Sequence, residues 1–211
     1  CAVSFKDVEA AVCQFTSSQP VIVSLEPNAM ADVWTDIRRV GNALNAVTQA
    51  EELIADLQCR MRGIAEKAQA IETRPTVAYI EWIEPLMAGG NWMPELIEMA
   101  GGINLFGEAG KHSPWMSWDE LAASDPDVIF ISPCGFDIPR TIEETHLLIE
   151  KPNWKSVKAV RQNSIFVADG NQYFNRPGAR LIESLEILAE TIHPHEFNFG
   201  HENSGWVRLV S

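Results

Sequence analysis

Side chains able to do chemistry gather in a few short words of this sequence. Glu81-Trp82 is followed by Met87 and then by Gly89-Gly90-Asn91-Trp92. Further on come Gly110-Lys111-His112-Ser113-Pro114-Trp115, Pro133-Cys134-Gly135-Phe136 and Tyr173-Phe174, with Arg140 and Arg176 near the last two. A carboxylate such as Glu81 accepts hydrogen bonds from amides. A neutral imidazole such as His112 can ligate a transition metal. Arginines pair with carboxylates and phosphates, and Trp, Tyr and Phe present flat apolar faces. The usual catalytic constellations are missing: no GxSxG, no HExxH, no phosphate-cradling loop ending in Lys-Ser/Thr and no complete GxGxxG. No catalytic residue and no catalytic cofactor is assigned. Aromatics on Gly/Pro-rich loops point instead to binding of a flat, largely apolar small molecule. Each residue also has an ordinary reading. Trp82, Met87 and Trp92 are then lobe core, Glu81 caps a turn, His112 is solvated, Cys134 is a buried thiol, and the arginines are structural.

The four cysteines, Cys1, Cys13, Cys59 and Cys134, form no CxxC pair. His193, His195 and His201 have no zinc-like spacing, so no metal site is assigned. A net charge of −13 argues against nucleic acid and anionic membrane surfaces as partners. Seven Trp against two Tyr fits a stacking cleft. No run reaches the roughly 20 apolar residues of a membrane span. No signal segment is read. The chain opens on Cys1-Ala2-Val3-Ser4 without an initiator Met, as if part-way into a longer protein, so the compartment stays open.

The elements that must position these words come next. The apolar spacing of Val8, Ala11, Val12 and Phe15 predicts a helix over 5–15. The β-branched run at 20–25 predicts a buried strand. From Asn28, a plausible N-cap, apolar residues recur in steps of three and four to Ile71, where Thr73-Arg74-Pro75 stops the pattern. An unbroken helix of about 40 residues would span about 60 Å. Gly41 is its weak point, and two helices with a bend are the alternative. After Pro75 strands at 76–80, 128–131 and 164–167 alternate with helices at 94–100, from Ser117, at 141–150, 154–162 and 180–192. Strand–helix alternation predicts an α/β lobe with a parallel, Rossmann-like sheet covered on both faces. Ligands bind such sheets beyond the strand carboxyl ends, where Glu81-Trp82, 133–136 and 169–174 fall. The expected layout is 1–27 with one helix and one strand, a long connecting helix over 28–74, and an α/β ligand-binding lobe over 75–211. The lone strand at 20–25 needs partners, from upstream or from a second copy.

The whole pattern resembles the substrate-binding proteins with a helical backbone that serve ABC importers of cobalamin, ferric siderophores and haem. The match is closest to the cobalamin branch. It rests on Cys1-Ala2-Val3-Ser4, the Val23-to-Pro27 word, Ile80-Glu81-Trp82, Gly89-Gly90-Asn91-Trp92, Ala100-Gly101-Gly102, the Gly110-to-Trp115 word, Asp125-Pro126-Asp127, the Pro133-to-Phe136 word, Asp169-Gly170-Asn171-Gln172-Tyr173-Phe174 and Arg176-Pro177-Gly178-Ala179-Arg180. The resemblance implies a corrinoid ligand held by Glu81, Trp82, Met87, Asn91, Trp92, His112, Trp115, Phe136, Tyr173 and Phe174. It implies that 1–27 is the remnant of a first lobe, that Asp119 and Glu120 dock on a membrane permease, and that the protein is extracytoplasmic. Haem or a ferric siderophore is the alternative ligand. Two other classes stay in view. One is a tetrapyrrole- or metal-handling enzyme using Glu81, His112 and Cys134. The other is a homodimer built through the long helix and the orphan strand.

Overall fold

The computed structural model describes residues 5–15 and 21–209; the opening word at 1–4 and Pro20 lie outside them. Helix α1 (Phe5–Phe15) forms where the spacing predicts it. The strand expected at 20–25 does not form over its described part. Residues 21–27 have no regular structure, and Val21 is 80% exposed. A β-branched run becomes a strand only against a partner edge that takes its backbone N–H and C=O groups. Among the described residues no such edge meets it.

The helix expected over 28–74 is two helices, α2 (Met30–Ala43) and α3 (Val47–Gln69). Between them Asn45 takes φ of 55°, in the left-handed region that Asn tolerates better than most residues. The chain turns sharply there. Arg38 donates to both carboxylate oxygens of Glu51 at 2.7 and 3.0 Å, 13 positions away; in a straight helix those residues would stand about 20 Å apart. Gly41, the expected weak point, is where the two helices touch. A Cβ there would lie 2.5 Å from the Ala50 Cβ. On α3 the buried stripe is Ala50, Ile54, Leu57, Met61, Ile64 and Ala68. Its steps of four and three place it along one face; Ala50 meets α2, and Leu57, Met61, Ile64 and Ala68 pack on the lobe.

The lobe contains β1 (Thr76–Trp82), β2 (Met87–Ala88), α4 (Met93–Met99), β3 (Ile103–Asn104), α5 (Trp118–Ser124), β4 (Val128–Ile131), α6 (Ile138–Glu144), α7 (His146–Ile149), α8 (Lys158–Arg161), β5 (Ile165–Ala168), α9 (Leu181–Ile192) and β6 (Trp206–Arg208). β1 pairs in parallel with β3 and β4, and β4 with β5. The edges depart from the expected all-parallel sheet: β2 runs antiparallel to the end of β1, and β6 antiparallel to β5.

Side-chain alternation along the strands gives the lobe two cores. Val77, Tyr79, Phe130 and Phe166 face α3, α4 and α9. There Tyr79 stacks on Phe130 at 5.6 Å, and Phe130 meets Phe174 edge-on at 5.0 Å. Ala78, Ile80, Ile129, Ile131, Ile165 and Val167 face the other way, onto Trp118, Leu121, Leu148 and Trp154. Burying each large apolar side chain stabilises the fold by roughly 1.5–3 kcal/mol. Capping fixes helix starts: Ser117 accepts from the Glu120 N–H at 3.2 Å, while Glu120 accepts from the Ser117 N–H at 2.8 Å. Similarly, Asp137 caps α6 by accepting from the Arg140 N–H at 2.9 Å.

Candidate functional site

Parallel pairing brings the carboxyl ends of β1, β4 and β5 to one edge of the sheet. The loops leaving that edge carry most of the singled-out residues. Trp82 ends β1. The turn after β4 is stitched to β1 by Ser132 N–H to Ile80 O at 3.0 Å and Cys134 N–H to Glu81 O at 3.2 Å. Gly135, at φ of 79°, lets that turn reverse. It delivers Phe136 to Trp82, with ring centroids 5.2 Å apart at 59°, and the Arg140 guanidinium lies 5.3 Å over Phe136. Trp82, Pro133, Phe136 and Arg140 line a cleft of about 240 Å³.

The loop after β2 and the loop before α5 zip together. The Ala88 N–H donates to Pro114 O at 3.0 Å and the Met116 N–H to Leu86 O at 3.0 Å. Met87 therefore stands opposite Trp115 on one side and Trp82 on the other. Directly opposed residues on neighbouring strands project to one face, as Met87 and Trp115 do; Trp82 lies beside Met87 across a register shift in β1, with Phe136 packed on it, and these four residues make up a ledge. Trp115 is 66% exposed.

Gly89 and Gly90 read in the sequence as room for a ligand. They are instead where the protein meets itself. A Cβ on Gly90 would lie 2.5 Å from Lys111 O, and one on Gly107 2.1 Å from Gly89 O. A Cβ on Gly89 would lie 2.4 Å from the Tyr79 ring. Asn91, at φ of 53°, belongs to the same junction: its N–H donates to Lys111 O at 2.6 Å, and its amide donates to Asn28 Oδ1 at 3.3 Å.

Glu81 sits beneath these loops. It accepts from the Ser113 hydroxyl at 2.8 Å, and Ser113 Oγ accepts from the Gly90 N–H at 3.0 Å. Burial raises the Glu81 carboxyl above the ordinary range, partly opposed by Ser113 and His112. The neighbouring Cys134, expected as a buried thiol, is exposed because the turn after β4 carries it outward; its thiol is raised too, by partial desolvation first and then by the Glu81 charge. His112 is exposed, its Nδ1 2.9 Å from Ser113 O. Among the described residues no three His, Cys, Asp or Glu side chains converge on a metal position.

The residues after β5 depart further from the sequence expectation. Gly170–Phe174 form a wide turn capped by Asp169, which accepts from the Gln172 N–H at 2.8 Å. Phe174 is fully buried against Tyr79 and Phe130, so it is core and not a ligand face. Tyr173 is also mostly buried, under Arg180 and beside His201. Half-buried Trp92 donates its indole N–H to Phe174 O at 3.0 Å. Away from these, Glu120 is committed to its cap, with its carboxyl held below the usual value by the Ser117 backbone bond. Asp119 beside it is exposed. Ser113, the hydroxyl that links Glu81 to Gly90, escaped sequence reasoning because one loop serine carries no periodic or motif signal.

A family model described as "Periplasmic binding protein" matches residues 3–171. Among curated relatives, an uncharacterized ABC transporter substrate-binding lipoprotein, YvrC of Bacillus subtilis, is 23% identical over 184 residues, which cover 84% of this chain and 55% of that protein. A vitamin B12-binding protein of Vibrio cholerae is 26% identical over 100 residues, 47% of this chain and 33% of that one. The chain thus spans between a third and about half of the length of these relatives. An ABC transporter substrate-binding protein from Listeria monocytogenes superposes with a TM-score of 0.73 at 18% identity, over 91% of this chain and 76% of that one, a likeness of fold. With its family match running through both the connector and the α/β lobe, the chain belongs to the periplasmic binding protein family.

Proposed function

We propose that this chain is the ligand-holding part of a substrate-binding protein for an ABC importer and that its ligand is a corrinoid. One observation carries the reading: Trp82, Met87, Trp115 and Phe136 stand together as an apolar ledge at the strand carboxyl ends. Such a ledge gains affinity from burying a flat apolar face, with a few polar groups at its margin setting orientation. Asn91, His112 and Trp92 are the marginal contacts, Tyr173 reaches the ligand only by its 8% exposed rim, and Glu81 acts from beneath by holding the loops. The vitamin B12-binding name of one group of relatives supports a corrinoid. In this reading α2 and α3 connect the lobe to a first lobe that covers the ligand from the other side. Asp119 is the carboxylate offered to the permease, and the protein works outside the cytoplasm.

Titration with cyanocobalamin and, separately, haemin, followed by Trp fluorescence corrected for absorption, tests it. Saturable quenching by the corrinoid is expected, weakened about tenfold or more by Trp115→Ala or Trp82→Ala, since stripping a stacking face removes on the order of 1.4 kcal/mol or more. Saturation by haemin alone replaces the corrinoid with haem. Saturation by neither, in a protein that also carries the first lobe, overturns the reading.

A further inference from the structure

Tyr173 is held by charged side chains that lead away from the ligand site. The Arg180 guanidinium lies 4.5 Å from its ring centroid, and Arg180 itself donates to Glu183 at 2.9 Å. On another side His201 meets the ring edge-on, centroids 6.2 Å apart at 73°. His201 Nε2 is 2.9 Å from Glu186 Oε2, and Glu186 Oε1 accepts from Arg60 at 3.0 Å. Glu186 is only 9% exposed, and a carboxylate so buried must be paired. One turn further along α9, Glu190 accepts from the Gly200 N–H at 2.7 Å and from the Trp206 indole at 2.7 Å. The segment carrying His201 therefore has a fixed seat on α9. Arg60 lies on α3, Glu186 on α9 and His201 on the segment before β6. An unbroken series of short contacts runs from the connector to Tyr173.

We propose that Arg60, Glu186 and His201 are positioning residues for Tyr173, and that they couple the setting of this ring in the ligand site to the seating of α3 on the lobe. The coupling to ligand rests on the binding reading above; the setting of the ring does not. A ligand touching the exposed rim of Tyr173 favours one seating of α3. By reciprocity, displacing α3 from α9 loosens the ligand by the same factor.

Two tyrosines occur in the chain, Tyr79 and Tyr173, so fluorotyrosine labelling gives two fluorine NMR resonances, assigned with Tyr173→Phe. Glu186→Gln and, on the half-exposed side, Arg60→Gln are expected to move the Tyr173 resonance and leave that of core-bound Tyr79 in place. A Tyr173 resonance unmoved in both variants overturns the proposal, and so does an equal movement of both tyrosines, which reports general loosening. For the ligand arm, Arg60→Gln should weaken cyanocobalamin binding about threefold, within the range of coupling between neighbouring residues. That loss should vanish when Tyr173→Ala is also present; a threefold loss that persists overturns the coupling. The fluorine measurement needs no ligand, so a protein that binds no corrinoid removes the binding reading and leaves this test standing.

Discussion

The lobe and the amino-terminal stretch ahead of it handle similar residues in opposite ways. In the lobe, β-branched and aromatic runs find partners on both sides, and Ile80, Phe130, Ile131 and Val167 are completely buried. Ahead of it, Val21, Leu25, Leu44 and Val47 are exposed at 80, 47, 70 and 51%. The propensities do not explain this difference. A strand former is stabilised by cross-strand neighbours and an apolar helix face by whatever covers it. Where the chain supplies neither, the same letters make no strand and no core.

The comparison can be broken at its extremes. Phe130→Ala should cost about 3–5 kcal/mol in urea unfolding, through lost burial and the cavity left behind. Leu44→Ser, at an apolar residue with little to lose, should stay within about 0.5 kcal/mol. If the two costs are similar, the division drawn here fails. Glycines sharpen it. Gly90→Ala must force the two zipped loops apart and should cost about 1–3 kcal/mol, with a change in Trp fluorescence. Gly63→Ala, on the exposed face of α3 with nothing within 4 Å of the new Cβ, should instead raise stability by about 0.5–1 kcal/mol. Ser117→Ala removes the α5 cap and should cost about 1 kcal/mol.

The smallest effect concerns Glu81. Burial raises its carboxyl above the ordinary 4.5, so the native state binds this proton more tightly than the unfolded chain. Its contribution to stability is fullest at acid pH and declines as pH rises through the folded value. Glu81→Gln keeps an acceptor for Ser113 and removes that decline. The variant should gain on the parent as pH rises from the ordinary 4.5 through the raised folded value, read as a growing difference in unfolding midpoint. A difference that stays constant with pH would show that Glu81 is not charged at a cost.

Much of the lobe was legible because its signals are local. The runs at Val128 and Ile165, the Ser117–Glu120 box and the stripe on α9 each declare an element within a few residues. The meeting of Trp82 and Phe136 was legible for a related reason: they follow β1 and β4, and parallel strands end together, whereas Trp115 comes beside Met87 only through the pairing of two loops. What escaped depends on meetings between distant residues. The break at Asn45 hides inside an apolar pattern that continues through it, because periodicity records faces and not the left-handed φ of one residue. Phe174 reads like Tyr173 beside it, yet the wide turn rotates it into the core. The glycines at 89 and 90 show that backbone meets something closely, but not whether that something is a ligand or another loop. Strands β2 and β6 are too short for alternation to register; pairing with β1 and β5 makes them strands.

One feature of the site bears on how such a protein changes over generations. The ledge is held by backbone hydrogen bonds between 86–88 and 114–116 and by glycines at the crossing, not by the side chains that face outward from it. Positions 87, 115 and 136 can therefore exchange one side chain for another with little penalty to folding. Under the proposed binding role, selection is free to retune which cargo the ledge prefers while the scaffold beneath stays unaltered, so divergent ligand preferences within one architecture need only a handful of substitutions.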